Sequence, residues 1–150
     1  MKNVLLGVTL VVAMLLGVGF SLYVRNPAPS VPPLSAEAAT AGKPYVVKLH
    51  AQWCVTCMMT KRVWAQIEET YANRANLVVL DFTTDADAEA SRAEAMRLGL
   101  TNFFDEYGGA TGTIVILDGR TKEVTASING SRDFSEYRAA IDAALERAGH

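Results

Sequence analysis

Hydrophobic and polar positions divide the chain into three unequal parts. Val4 to Val24 is a run of 21 residues without a charge, close to the roughly 20 that a helix needs to cross a hydrocarbon core of about 30 Å. It lacks the polar stripe of a soluble core helix, so residues 1–25 are expected to form a transmembrane anchor. Residues 26–43 hold four prolines with Ser, Ala and Thr and no apolar periodicity, the pattern of a semi-extended linker. Residues 44–150 then carry alternating strand and helix signals. Tyr45 to His50 is β-branched and aromatic and follows a proline, which predicts a short strand. Cys54 to about Asn73 reads as one helix, with Val63, Ile67 and Tyr71 four apart on one face. Leu77 to Phe82 is nearly continuously apolar and predicts a strand buried on both faces of a sheet. Asp85 to Leu98 is an alanine-rich helix that Gly99 stops. Thr113–Leu117 and Val124–Ile128 flank Asp118-Gly119-Arg120-Thr121-Lys122 and predict an antiparallel hairpin. A last helix follows Asp133, with Phe134, Tyr137, Ile141 and Leu145 on one face and Asp133 with Glu136 as its cap. The order is strand, helix, strand, helix, strand, strand, helix. The opening strand-helix-strand implies a right-handed parallel crossover. The expected class is therefore α/β, a mixed central sheet flanked by helices.

Charge and cysteine content narrow the function. From Pro44 on, 11 Lys and Arg face 15 Asp and Glu, interspersed; a nucleic-acid binder would show a basic face. Two cysteines exclude a disulfide scaffold and a four-cysteine zinc site. Ala36-Glu37-Ala38 has the small-x-small form of a signal-cleavage site but lies a dozen residues beyond Val24, so a retained anchor is the better reading. Lys2 and the N-terminal amine precede the span and Arg25 follows it. That slight asymmetry favours a cytoplasmic N-terminus and a globular part outside the cytoplasm.

The stretch with chemistry is Trp53-Cys54-Val55-Thr56-Cys57, at the carboxyl end of the first strand and the start of the first helix, where α/β sheets place their sites. Residues three apart on a helix are neighbours, so the two sulfurs can meet within the Cα separation of about 4.4 to 6.8 Å that a disulfide needs. Cys54 at the first turn would have its thiolate favoured by unpaired backbone N–H groups and the helix dipole. Cys57, a turn further in, would stay protonated. Cys54 would thus attack a disulfide and Cys57 would resolve the mixed disulfide.

Val46 to Leu49 followed by Ala51-Gln52-Trp53-Cys54-Val55-Thr56-Cys57 resembles the first strand and active-site loop of the thioredoxin family. Trp-Cys-Val-x-Cys is similar to the C-terminal domain of DsbD-type thiol reductases, and the single anchor resembles tethered extracytoplasmic thioredoxins such as TlpA-like proteins. The resemblance spans Tyr45 to about Leu145. It implies a thioredoxin fold and dithiol-disulfide exchange without metal or cofactor, Cys54 being the nucleophile and Cys57 the resolving thiol, with Trp53, Gly112, Thr113 and Lys48 around them. Three positions depart from the family pattern. Gly112 stands where a cis-proline is usual, so the loop before the third strand should have a different or looser backbone. Lys48 aligns with the usual buried acid; its amine is expected to snorkel to solvent, although a desolvated lysine could exchange protons. Thr101 to Thr111, with Phe103, Phe104 and Tyr107 ahead of Gly108-Gly109, is an insertion that reads equally as a partner-recognition loop or as cover for the core.

Other polar and sulfur residues carry less. His50, four residues before Cys54, reads as a solvated strand end. Met58 and Met59 suggest Cu(I) but read better as core filler. Asp81, Asp85, Asp87 and Glu89 lack a calcium-loop frame and look like the acidic start of a helix. Trp64 reads as a packed aromatic, and Glu68 and Glu69 as a solvated face. The expected function is disulfide exchange with protein partners outside the cytoplasm. Val55-Thr56 supplies no histidine or cation to over-stabilise the thiolate, which leans toward a reductant. A reductant in an oxidising compartment must be re-reduced, which calls for a membrane or extracytoplasmic electron donor. A Cu(I) metallochaperone and a non-catalytic interaction module with a structural disulfide remain as alternatives.

Overall fold

The computed structural model describes residues 42–149. The expected anchor over residues 1–25, and the linker as far as residue 41, lie outside the described residues. Strand β1 (Tyr45–His50) has its first five residues buried, because it is an inner strand of a four-stranded sheet. It pairs in parallel with β2 (Asn76–Asp81), from Tyr45↔Asn76 to His50↔Asp81, and antiparallel with β3 (Thr113–Leu117), from Tyr45↔Leu117 to Lys48↔Ile114. β4 (Val124–Asn129) closes the other side against β3, with a register shift between Ile116 and Leu117, and the strand order is β2-β1-β3-β4. The sheet is thus mixed, with one parallel pair, as the crossover and hairpin require.

Alternation of side chains along a strand sends successive residues to opposite faces, and the core divides accordingly. Tyr45, Val47 and Leu49 join Val78, Leu80, Val115 and Leu117 beneath α3 (Asp85–Arg97) and α4 (Thr101–Tyr107). Val46 joins Ile114 and Ile116 beneath α2 (Lys61–Tyr71) and α5 (Phe134–Ala148), which supply Val63, Trp64, Ile67, Tyr71, Tyr137, Ile141 and Leu145. Each fully buried Val, Leu or Ile contributes about 1.5–3 kcal/mol relative to exposure, so two packed faces fix the orientation of β1 firmly. That strand leads straight into the cysteines.

Four elements differ from expectation. The helix drawn from Cys54 to Asn73 is two helices, α1 (Val55–Met59) and α2, divided at Thr60. The Thr60 hydroxyl donates to the carbonyls of Thr56 at 3.1 Å and Cys57 at 3.3 Å, the side-chain back-bonding that bends helices. Thr101 to Thr111 begins with a helix, α4, in which Phe103 and Phe104 are buried and Phe103 stacks on Tyr107, one turn on, with centroids 5.2 Å apart. These rings are core cover, which resolves the two readings of that segment for Phe103 and Phe104. Among the described residues β2 is an edge strand rather than one buried on both faces: Val78 and Leu80 point into the core while Val79 is exposed. Asp81 ends β2 and is not part of the acidic helix start, where Thr84 caps α3 and Asp87 completes the capping box. The Asp133 carboxylate caps α5 by accepting from the Ser135 N–H at 2.8 Å.

Candidate active site

Cys54 is the N-cap of α1, extended at φ −80° and ψ 108°, and its Sγ accepts a hydrogen bond from the Cys57 N–H at 3.1 Å. The two cysteines are joined as a disulfide with a Cα separation of 5.2 Å, inside the usual window. The Cys54 side chain takes the part that Ser or Asp plays at other helix starts, filling one of the unpaired N–H groups of the first turn. Cys57 is one turn in, 1% exposed against 7% for Cys54, and its Sγ lies 3.7 Å from the Leu49 carbonyl oxygen. The outer sulfur is therefore the one within reach of a partner. The inner one is roofed by α1 and floored by the end of β1.

Apolar side chains ring the pair on the solvent side. Trp53 is 63% exposed, Val55 64%, Met58 60% and Met59 46%. The two methionines are therefore surface groups and not core filler: α1 is one and a half turns long, and its single inward position is taken by Cys57. The loop before Cys54 is held by a residue that the sequence pattern did not single out. Thr83 accepts the Trp53 indole N–H on its carbonyl at 3.1 Å and the Gln52 N–H on its hydroxyl at 3.0 Å, while its own N–H donates to the Asp81 carboxylate at 2.8 Å. The only sequence signal for this brace is a Thr two residues after an Asp at a strand end, the Asx-type pattern in which a carboxylate captures a backbone N–H two residues on.

Gly112 faces the disulfide from the start of β3. Its φ is +88°, and a Cβ there would lie 2.7 Å from the Thr56 Cβ and Cγ2 and 3.4 Å from the Cys54 Sγ. The backbone differs from a cis-proline loop, as the sequence implied, yet it is tied rather than loose. Its N–H donates to the Leu49 carbonyl at 2.9 Å and its carbonyl accepts the Gly130 N–H at 3.2 Å. Thr113 beside it is buried, its hydroxyl accepting from the Asn129 amide at 2.9 Å.

The stem of Lys48 is covered. It is 8% exposed, with its ammonium 5.4 Å from the centroid of the Trp64 ring. Trp64 is packed as expected, but its indole N–H donates to Glu68 at 2.6 Å, so Glu68 is more than a solvated face. Burial pushes the Lys48 amine below the usual lysine range, Glu68 and Asp81 pull it back up, and Lys61 pushes it down again. His50 is half-buried at the end of β1, and its Nδ1 is enclosed without a hydrogen-bond partner rather than solvated. Among the described residues no group of three or more His, Cys, Asp or Glu is placed to hold a metal ion, and no helix is long and apolar enough to cross a membrane.

A two-cysteine turn on a strand-to-helix junction, with one sulfur outside and one within, defines a redox disulfide site on an α/β scaffold. A family model described as Thioredoxin matches residues 34–98. The thiol:disulfide interchange protein DsbD of Yersinia pestis (strain Pestoides F) is 30% identical over 114 residues, covering 75% of this chain and 18% of that protein. The protein of the same description from Ralstonia nicotianae is 31% identical over 100 residues, covering 63% of this chain and 16% of that protein. The chain spans less than a fifth of the length of these relatives. Among solved structures it is similar to Trxlp from Edwardsiella tarda EIB202, with 17% identity, a TM-score of 0.49, and coverage of 75% of this chain and 95% of that one. Thioredoxin from Malassezia sympodialis has 20% identity and a TM-score of 0.47, with coverage of 73% and 84%. Residues 34–98 thus match the thioredoxin family model, and the chain is similar to the part of DsbD that it covers.

Proposed function

We propose that the chain reduces disulfides in protein partners outside the cytoplasm, tethered to the membrane by residues 1–25 and re-reduced by a membrane or extracytoplasmic electron donor. The observation that carries the exchange chemistry is the asymmetry of the pair: Cys54 at the rim with the Cys57 N–H on its sulfur, Cys57 enclosed behind it. In the reduced state that N–H and the first turn of α1 favour the Cys54 thiolate. The thiolate attacks one sulfur of a partner disulfide, forming a mixed disulfide and releasing the other partner sulfur as a thiol. Cys57 then loses its proton and attacks Cys54. The Cys54–Cys57 bond forms, the second partner sulfur leaves, and two electrons have moved to the partner. Trp53, Val55, Met58 and Met59 offer an apolar contact for the partner around the attacking sulfur. Gly112, with Thr113 beside it, forms the opposite wall. The reducing direction is favoured by Val55-Thr56, which places no cation between the cysteines. The likeness to part of DsbD supports a place in an interchange chain with a separate donor.

Equilibrating the full chain against a glutathione series, with the cysteine state read by alkylation and mass, tests the direction. A midpoint of about −270 to −200 mV, the range of thioredoxins and glutaredoxins, is expected; one near −120 mV would mark an oxidase instead. A Cys57→Ser variant should accumulate mixed disulfides with its protein partners, and a Cys54→Ser variant should not.

A further inference from the structure

Phe103 and Phe104 of α4 cover the core, but between α3 and α4, beside Phe82, the surface opens into a cavity of about 340 Å³. Its floor is aromatic: the Phe82 and Phe104 rings stack with centroids 5.6 Å apart. Its rim is charged. Asp85, Ala88, Glu89 and Arg92 recur three and four apart along α3, so helical geometry puts all four on the side that lines the cavity. One cation is already seated there. The Arg92 guanidinium lies 4.7 Å from the centroid of the Phe104 ring and donates to the Asp105 carboxylate at 3.1 Å, so a ring face and a carboxylate hold it together. Asp85 and Glu89 have no such partner among the described residues. Asp85 suits the first turn of a helix, whereas Glu89, one turn on, gains nothing from that end. The floor is tied to the loop that carries the dithiol. The Phe82 N–H donates to the His50 carbonyl at 2.7 Å, and the next residue, Thr83, accepts the Trp53 indole N–H. On the α4 side Gly108 and Gly109 lead along the chain to Gly112, which faces the Cys54 sulfur.

We propose that this cavity is a subsite for a lysine or arginine side chain of the protein whose disulfide is exchanged, a basic residue lying near the cysteine that Cys54 attacks. This rests on the exchange reading given above and deepens it by naming a class of partner. Arg92 shows what the cavity holds well: a cation on an aromatic face beside a carboxylate. A partner's cation would take the open place next to it, its stem against Phe82 and its charge toward Asp85 and Glu89. Three carboxylates and one guanidinium line the cavity, so the excess charge is negative and an acidic partner residue is repelled. The cavity is open and the carboxylates are exposed, so each ion pair is worth little alone and the contact selects and orients more than it binds. The rim of Trp53, Val55, Met58 and Met59 supplies apolar contact without any charge preference. A basic side chain held at Phe82 adds that preference, one residue from the Thr83 brace under Trp53.

The test uses the pre-reduced full chain and two synthetic peptides, identical except that the residues flanking a single cysteine are arginine in one and glutamine in the other. Each cysteine is presented as a mixed disulfide with thionitrobenzoate. The Cys54 thiolate attacks the peptide sulfur and displaces thionitrobenzoate, whose absorbance is read; Cys57 then attacks Cys54 and frees the peptide thiol. Every rate constant is divided by that of dithiothreitol with the same peptide, which removes the intrinsic reactivity of a disulfide beside cations. The arginine peptide should react about tenfold faster than the glutamine peptide. In a variant carrying Asp85→Asn and Glu89→Gln, that ratio should fall to within about twofold of unity. A variant carrying Glu69→Gln and Glu146→Gln loses the same charge from exposed positions outside the cavity and should keep the ratio of the parent. Equal rates for the two peptides in the parent overturn the proposal. A preference that survives the loss of Asp85 and Glu89 also overturns it, as does one that falls equally in the Glu69 and Glu146 variant, since the net charge of the domain would then be at work. A parent that reacts with neither peptide, while dithiothreitol reacts with both, removes the exchange reading itself, a result distinct from equal rates.

Discussion

At the scale of single residues, Gly112 shows how a site can be rebuilt around a substitution. A proline would need φ near −65° and has no N–H, whereas this position sits at +88° and donates to Leu49. Restoring the family residue should therefore damage the protein. Gly112→Ala is expected to lower stability by about 2 kcal/mol, from the left-handed backbone and the clash with Thr56. In a domain of this size that is a fall in the unfolding midpoint of roughly 8 °C. Gly112→Pro should cost more, because the Leu49 carbonyl also loses its partner. Thermal unfolding of Gly112→Ala alone and combined with Thr56→Ala measures the steric part: removal of the Thr56 Cγ2 should recover about 1 kcal/mol. Full additivity of the two changes would mean that Thr56 is not what crowds the position. The cysteine pair and its neighbours Trp53 and Gly112 were legible in the sequence because motif spacing and strand counting locate them. The burial of Lys48, the enclosed Nδ1 of His50 and the Thr83 brace were not. Each depends on what stands opposite in space, and one-dimensional pattern holds no record of that.

At the scale of elements, periodicity located the strands to within a residue or so but not the division of the first helix or the existence of α4. Thr60 breaks the helix through hydroxyl bonds to carbonyls three and four residues back, a competition that helical spacing of Val63, Ile67 and Tyr71 cannot reveal. The division matters, since it lets α1 carry the cysteines at its own angle while α2 packs on the sheet. Helix α2 is in turn clasped to α5 where the Tyr71 hydroxyl donates to Asp142 at 2.9 Å. Burial first, and then that hydrogen bond, push the Tyr71 phenol up to about 12. A phenol whose proton is held more tightly in the folded chain stabilises the fold fully below pH 10, and the contribution is lost as pH rises from 10 through 12. Chemical denaturation from pH 8 to 12 should accordingly show a larger stability loss in the parent chain than in Tyr71→Phe, in which Tyr45 and Tyr137, also pushed up by burial, still contribute. At pH 7 the variant should be weaker by about 1 kcal/mol, the net worth of one hydrogen bond. A parallel decline in both chains above pH 10 would assign the loss to other groups.

At the scale of the whole molecule, an oxidoreductase site on a thioredoxin scaffold gains or loses meaning according to where it is held. Residues 44–150 carry the complete dithiol site, and the preceding prolines separate it from a run long enough to span a bilayer. Eighteen residues of Pro-rich composition have a contour of about 3 Å per residue, some tens of ångströms. Under the proposed anchoring, that reach would hold the exposed rim of Trp53, Val55, Met58 and Met59 near the membrane surface, where a membrane-borne donor would be met repeatedly. The full chain in cells should therefore stay with the membrane fraction under alkaline wash, whereas a chain lacking residues 1–25 should not. Location on the outer side is read independently. With intact cells first treated with a mild reductant, a membrane-impermeant maleimide should label Cys54, and a Cys54→Ser variant should lose most of that label. Release of the full chain by alkaline wash would rule out the anchor. Labelling only after lysis would put the dithiol in the cytoplasm, where glutathione and thioredoxin keep thiols reduced and the requirement for a donor across the bilayer disappears.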